Sequence, residues 1–147
     1  MSRDLLVDHT SPARLIGLIG AGIQGSRTPP MHAREGAAQG LRYVYKRIDL
    51  EALRLGVDAL PERLRAAERL GFVGVNVTHP WKQAVVPLLH ELSDEARAPG
   101  AVNTVVLRGG RRVGHDTDGW GFAEAFRRAL PDVRRERVVL LGAGGQA

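Results

Sequence analysis

The sequence predicts an α/β fold, with a mainly parallel sheet flanked by helices. Short apolar or alternating runs, each ending at glycine or a polar turn, recur along the chain, and stretches of helical period lie between them. The 147 residues are 44% apolar and 25% charged, the balance of a globular domain. There is no cysteine, so a disulfide scaffold and thiolate zinc sites are excluded.

Arg14 to Ile19 (RLIGLI) reads as a buried strand and the following GAGIQGSRT as a loop. A helix is expected through Gln39, with Thr28 as N-cap, Pro29 in its first position and Gly40 as its stop. Leu41 to Ile48 alternates and is rich in Tyr and Val, as a strand is. Apolar residues at 60, 64, 67 and 70 give a helix that ends at Gly71, and Phe72 to Val77 is a third strand. Pro80 is expected to open a helix running to about Leu92, and Ser93 to cap a short one ending at Ala98. Ala101 to Leu107, a Gly-Gly pair and RRVGHDT form a hairpin pattern. Asp118 is placed as the cap of a helix from about Gly119 to Leu130, and Arg137 to Leu141 is a last strand.

The net charge of +5 raises nucleic-acid binding, but most arginines sit at helical spacing among apolar and acidic residues, as on a solvated face. Aromatics, at 5%, do not interleave with the two concentrated clusters, RGGRR and RRER, so no stacking platform is evident and no nucleic-acid partner is expected. The first 13 residues hold two acids and no long apolar stretch, and no run approaches a membrane span. A cytoplasmic protein without a membrane partner is the expectation; oligomeric state is not legible.

Two glycine patterns invite a dinucleotide reading. Gly20-Ala21-Gly22-Ile23-Gln24-Gly25 follows a strand, and Asp49 closes the next one, where a ribose-binding acid would sit. The prolines at 29 and 30 and the intervening Ser26-Arg27-Thr28 keep the third glycine out of a helix, which favours tight-turn glycines beside a pocket over a dinucleotide loop. Gly142-Ala143-Gly144-Gly145-Gln146-Ala147 directly follows the last strand and fits the GxGxxA form; a helix cap or tail is the competing reading.

Polar residues converge elsewhere. In NVTHPWK, Asn76 and Thr78 point to one face of a strand at its carboxyl end, where open α/β sheets bind ligands. Lys82 follows in the first turn of the expected helix, where the macrodipole would push its pKa down. It is one of only two lysines among 21 basic residues, and unlike arginine it can exchange a proton. Asp116, Thr117 and Asp118, with His115 beside them, make an acidic point; as a metal site they lack a further spaced cluster. Asn103 and Thr104 add groups suited to a polyol. A neutral pocket with one lysine and one aspartate suits proton transfer at a hydroxyl while a nicotinamide takes a hydride.

Taken together, SRTPPMH at 26 to 32, NVTHPWK at 76 to 82, AVNT at 101 to 104, GHDTDGWGF at 114 to 122 and LLGAGGQA at 140 to 147 resemble the shikimate dehydrogenase family. The resemblance implies a substrate-binding and catalytic domain over 14–131 and the start of an NAD(P)-binding Rossmann domain over 136–147, truncated after its first strand and glycine loop. It assigns Ser26 and Thr28 to the substrate carboxylate, Asn76, Thr78, Asn103 and Asp118 to ring hydroxyls, and Lys82 with Asp118 to catalysis. Gly142, Ala143, Gly144, Gly145, Gln146 and Ala147 would hold NADP or NAD. The implied reaction is reversible oxidation of shikimate to 3-dehydroshikimate, a step toward aromatic amino acids.

Thr28 and Gly25, where shikimate-specific members usually have Ser and many have His, resemble quinate/shikimate dehydrogenases, so quinate is the alternative substrate. An inactive substrate-binding module is the alternative from another class. Asp116 stands where the family pattern has Asn, and a second carboxylate so near Asp118 is expected to favour protonation of one of the two, with coupled titration.

Overall fold

A computed structural model describes residues 12–134 and 136–139. Six strands form one sheet in the order β2-β1-β3-β5-β6-β4. They are β1 (Arg14–Gly20), β2 (Tyr43–Asp49), β3 (Phe72–Val77), β4 (Glu91–Leu92), β5 (Thr104–Arg108) and β6 (Arg111–His115). Between and after them lie α1 (Thr28–Ala38), α2 (Leu60–Arg69), α3 (Asp94–Arg97) and α4 (Asp118–Ala129). The pairs β1/β2, β1/β3 and β4/β6 are parallel, while β3/β5 and β5/β6 are antiparallel. The β5/β6 hairpin turns at Gly109 and Gly110, whose φ values of 58° and 72° suit the tight turn that matches strand twist.

The core lies on one face of this sheet. Val75, Val77, Val105 and Leu107 pack there with Leu60, Leu64 and Ala67 of α2 and with Trp81 and Val85 from the loop after β3. Register assigns the opposite face to Tyr45, Ile16 and Gly74 in one row and to Arg47, Leu18, Asn76 and Thr104 in the next. Helix α1 covers the β2 side of that face, where the His32 ring meets Tyr45 with centroids 5.2 Å apart. The chain therefore leaves β1 toward one face and β3 toward the other. The crevice between their carboxyl ends is the kind of position where open α/β sheets bind ligands.

The expected helix from Pro80 to Leu92 does not form. The chain passes a cis His79–Pro80 bond, then turns and a 3₁₀ segment at Val86–Leu88, and becomes β4. Pro87 has no N–H to offer Gln83, so the bonds tighten to Val86 N–H with Gln83 O (3.1 Å) and Leu88 N–H with Val85 O (2.9 Å). Pairing of Leu92 with Gly114 then draws the end of the segment into the sheet.

Two caps also differ. Thr28 opens α1 from inside and Arg27 is its N-cap, because the Ser26 hydroxyl already accepts the Thr28 N–H (3.2 Å). Asp118 likewise lies inside α4, capped by Thr117; the Asp118 N–H donates to Asp116 Oδ1 (2.9 Å), which frees the Asp118 carboxylate for other partners. Val138 and Val139, from the expected last strand, are 73% and 83% exposed and pair with no strand among the described residues. Leu140, Leu141 and the glycine loop from Gly142 to Ala147 lie outside the described residues.

Candidate active site

The loop after β1 shows what its glycines do. Gly22 adopts a φ of 61°, and the Asp49 carboxylate accepts N–H bonds from Gly22 and Ile23 (3.1 Å each) and from the Gln24 side chain (2.9 Å). Burial pushes the Asp49 carboxyl up, but these donors and the Ala52 N–H together bring it below its ordinary value. An acid folded onto its own glycine loop has no oxygen to spare for a ribose. The first GxGxxG is a structural turn. At Gly20 an added Cβ would meet Thr78 Cγ2 at 2.5 Å, so this glycine lets β1 and the end of β3 close on each other.

That approach brings two polar groups to the crevice. On the β1 side, the Ser26 hydroxyl donates to Thr28 Oγ1 (3.1 Å), and the Arg47 guanidinium donates to the Ser26 carbonyl (3.0 Å). On the β3 side, Thr78 is held by its N–H to Ile19 O (2.9 Å), and Lys82 is anchored through its carbonyl, which accepts the Val102 N–H (2.9 Å). The Lys82 ammonium donates to Asp118 Oδ2. Asn103, 9% exposed, donates to Asp118 Oδ1 (2.8 Å).

The structure thus joins Lys82, Asp118, Asn103 and Asn76 in one hydrogen-bonded network. Ser26 and Thr28 bond to each other instead.

One electrostatic expectation needs revising. With no helix after Pro80, no macrodipole acts on Lys82; its partner is the Asp118 carboxylate. Partial burial pushes Asp118 up, but the hydrogen bonds from Lys82 and Asn103 and the lysine charge outweigh it, leaving the carboxyl below its ordinary range. The neighbouring Asp116 accepts the Asp118 N–H.

Sequence reasoning passed over Tyr45. Its hydroxyl donates to Asn76 Oδ1 (2.6 Å), and burial holds its pKa well above the usual phenol value. The available signal was the strand's alternation, which puts Tyr45 on the face of Ile16 and Gly74, one row from Asn76.

A cleft of about 220 Å³ follows this sheet face, lined among others by Asn76, Thr104, His32 and Val106. Lys82 and Asp118 are not part of its wall. Among the described residues no cluster of His, Cys, Asp and Glu could hold a metal ion, and no helix is long and apolar enough to cross a membrane.

Residues 18–105 match the profile of the shikimate dehydrogenase substrate-binding domain. The chain belongs to that family. A shikimate dehydrogenase (NADP⁺) of Pseudarthrobacter chlorophenolicus is 57% identical over 131 residues, which cover 89% of this chain and 45% of the relative. A quinate/shikimate dehydrogenase (NAD⁺) of Corynebacterium efficiens is 53% identical over 132 residues, 89% of this chain and 46% of the relative. Among solved structures, quinate dehydrogenase from Corynebacterium glutamicum in complex with NAD superposes with a TM-score of 0.75 at 48% identity, covering 83% of this chain and 44% of that one. The chain spans less than half the length of these shikimate and quinate dehydrogenases.

Proposed function

We propose that this chain binds shikimate and supplies the acid-base groups for its reversible NAD(P)-dependent oxidation to 3-dehydroshikimate. The observation that carries this is the Asp118 carboxylate, held between the Lys82 ammonium and the Asn103 amide at the carboxyl ends of the strands. Oxidising a secondary alcohol removes a hydroxyl proton as well as a hydride. In the oxidation direction Lys82, paired with Asp118 and starting as the neutral amine, takes that proton, and in the reverse direction the Lys82 ammonium returns one to the carbonyl oxygen. Asp118, held anionic, keeps Lys82 within the crevice and orients it.

Ser26 and Thr28 offer hydroxyls to the substrate carboxylate across the crevice, while Asn76, Thr78, Asn103 and Asp118 face its ring hydroxyls. We assign residues 14–131 to this substrate-binding and catalytic domain and 136–147 to the start of a Rossmann domain. Gly142, Ala143, Gly144, Gly145, Gln146 and Ala147, whose glycines allow close backbone approach to a pyrophosphate, would hold NADP or NAD; when bound it supplies the hydride acceptor. Quinate is a second substrate on this reading, supported by the 53% identity to a quinate/shikimate dehydrogenase. We expect a cytoplasmic setting and no nucleic-acid partner.

The test is binding. Shikimate added to the purified chain should shift the amide resonances of Ser26, Thr28, Asn76, Asn103 and Asp118. Reduction of NADP or NAD in the presence of shikimate or quinate then ranks the substrates. Absence of any shift at millimolar shikimate would overturn the assignment.

A further inference from the structure

The network continues past the catalytic pair. Asn103 Oδ1 accepts from the Thr104 hydroxyl (2.8 Å) and the Thr117 N–H (3.3 Å), while its Nδ2 donates to Asp118. Asn76 Nδ2 donates to Thr104 Oγ1 (3.0 Å) and to the Asn103 carbonyl (3.4 Å), and Asn76 Oδ1 accepts from Tyr45 (2.6 Å). Five side chains in four hydrogen bonds therefore lead from Tyr45 on β2 to Asp118 at the start of α4.

The direction of every bond is determined. An ionised carboxylate can only accept and a backbone N–H can only donate, so Asn103 must turn its nitrogen to Asp118 and its oxygen to Thr117 and Thr104. Thr104 then donates to Asn103 and has only lone pairs left for Asn76. The Asn103 carbonyl makes the same demand, so Asn76 turns its nitrogen toward β5 and its oxygen toward Tyr45. Tyr45 must donate. Its phenol is held protonated by burial, as that role requires.

From this geometry we infer that Tyr45 is a positioning residue, which holds the Asn76 amide so that it presents an acceptor, and no donor, to a substrate hydroxyl. Both N–H groups of Asn76 are already engaged, leaving one lone pair of Oδ1 for the ligand. The ring hydroxyl opposite Asn76 must donate. This inference rests on the shikimate reading above, and it adds that recognition of that hydroxyl depends on a tyrosine one strand removed from it. His32, packed against the Tyr45 ring, limits how far the phenol can swing.

Tyr45→Phe tests it, with two ligands measured on the 147-residue chain by calorimetry or NMR. Shikimate carries the ring hydroxyls; cyclohex-1-ene-1-carboxylate carries the carboxylate without them. The variant should weaken shikimate roughly three- to tenfold, the worth of one hydrogen bond, and change the hydroxyl-free acid by less than about twofold. In an Asn76→Ala background the same substitution should cost nothing further. Equal weakening of both ligands, an unchanged shikimate affinity, or full additivity with Asn76→Ala would each overturn the role. Should Tyr45→Phe fail to fold, Thr104→Val, which removes the acceptor on the other side of Asn76, must show the same selective loss. If the wild-type chain binds neither ligand, the shikimate reading falls; the Tyr45 role is then judged on the Asn76 side-chain NH₂ protons. Those protons should be protected from exchange in the wild type and lose protection in Tyr45→Phe, and equal protection in both would refute the role.

Discussion

Asn103 Nδ2 donates to Asp118 Oδ1 at 2.8 Å, while the other oxygen of the same carboxylate takes the Lys82 ammonium. One neutral and one charged donor thus hold Asp118 from two sides. Asn103→Ala removes the neutral donor, and because that hydrogen bond lowers the Asp118 pKa, its loss raises it. An NMR titration of the Asp118 carboxyl should show the upward shift. Denaturant unfolding should show a loss of about 1–3 kcal/mol, since Asn103 is nearly buried and its partners at Thr104 and Thr117 lose their acceptor.

Lys82→Ala leaves Asp118 without its charge partner, so the carboxyl pKa should rise here too. On the proposed function, turnover of shikimate with NADP or NAD by a full-length version should fall by roughly 10²–10⁴, the usual contribution of a positioned acid-base group, while shikimate still binds. Lys82→Arg should not restore turnover, because arginine does not give up its proton. Unchanged turnover in Lys82→Ala would remove the lysine from the mechanism.

Away from the site, Arg112 of β6 grips Glu68 of α2 with two bonds, Nε to Oε1 at 2.7 Å and the terminal nitrogen to Oε2 at 2.8 Å. The Arg112 hydrogen bond, outweighing burial, lowers the Glu68 carboxyl below its ordinary 4.5. The folded carboxylate binds a proton less readily than the unfolded one. Its stabilisation is therefore complete above the ordinary value and is lost as pH falls through the depressed one. Glu68→Gln should cost about 1–2 kcal/mol at neutral pH, and urea melts repeated at progressively lower pH below the ordinary 4.5 should show the gap to wild type closing.

Asp49→Ala strips the acceptor from the loop after β1, freeing the N–H groups of Gly22 and Ile23. Thermal unfolding by circular dichroism should fall by several degrees. Affinity for NADP or NAD should not change, since this loop is a turn and not a dinucleotide cradle. A selective loss of dinucleotide affinity in a normally folded variant would restore the rejected motif.

Much of this was legible along the chain. Strand β3 has the expected bounds because FVGVNV alternates between glycine and a polar turn, and α2 because 60, 64, 67 and 70 share a face. The proposed site residues Asn76, Asn103 and Asp118 stand out in the sequence as polar groups within a strand, before a strand and at a helix start, and Lys82 as a rare lysine shortly after β3. The segment after Pro80 was misread because Pro87 and pairing of Glu91–Leu92 with β6 outweigh local helical periodicity. The Lys82 dipole argument failed with it.

Sequence by itself determined most of the elements, the family resemblance and the kinds of groups available for proton transfer, because hydrophobic period and motif spacing are local properties. Tertiary structure alone decided their pairing. Tyr45 and Asn76 lie on strands separated by β1, and Asn103 reaches Asp118 from another element, so only the strand order 2-1-3-5 brings them together. The direction of each bond then follows from a carboxylate that can only accept and amide N–H groups that can only donate, a constraint that exists once the chain has folded.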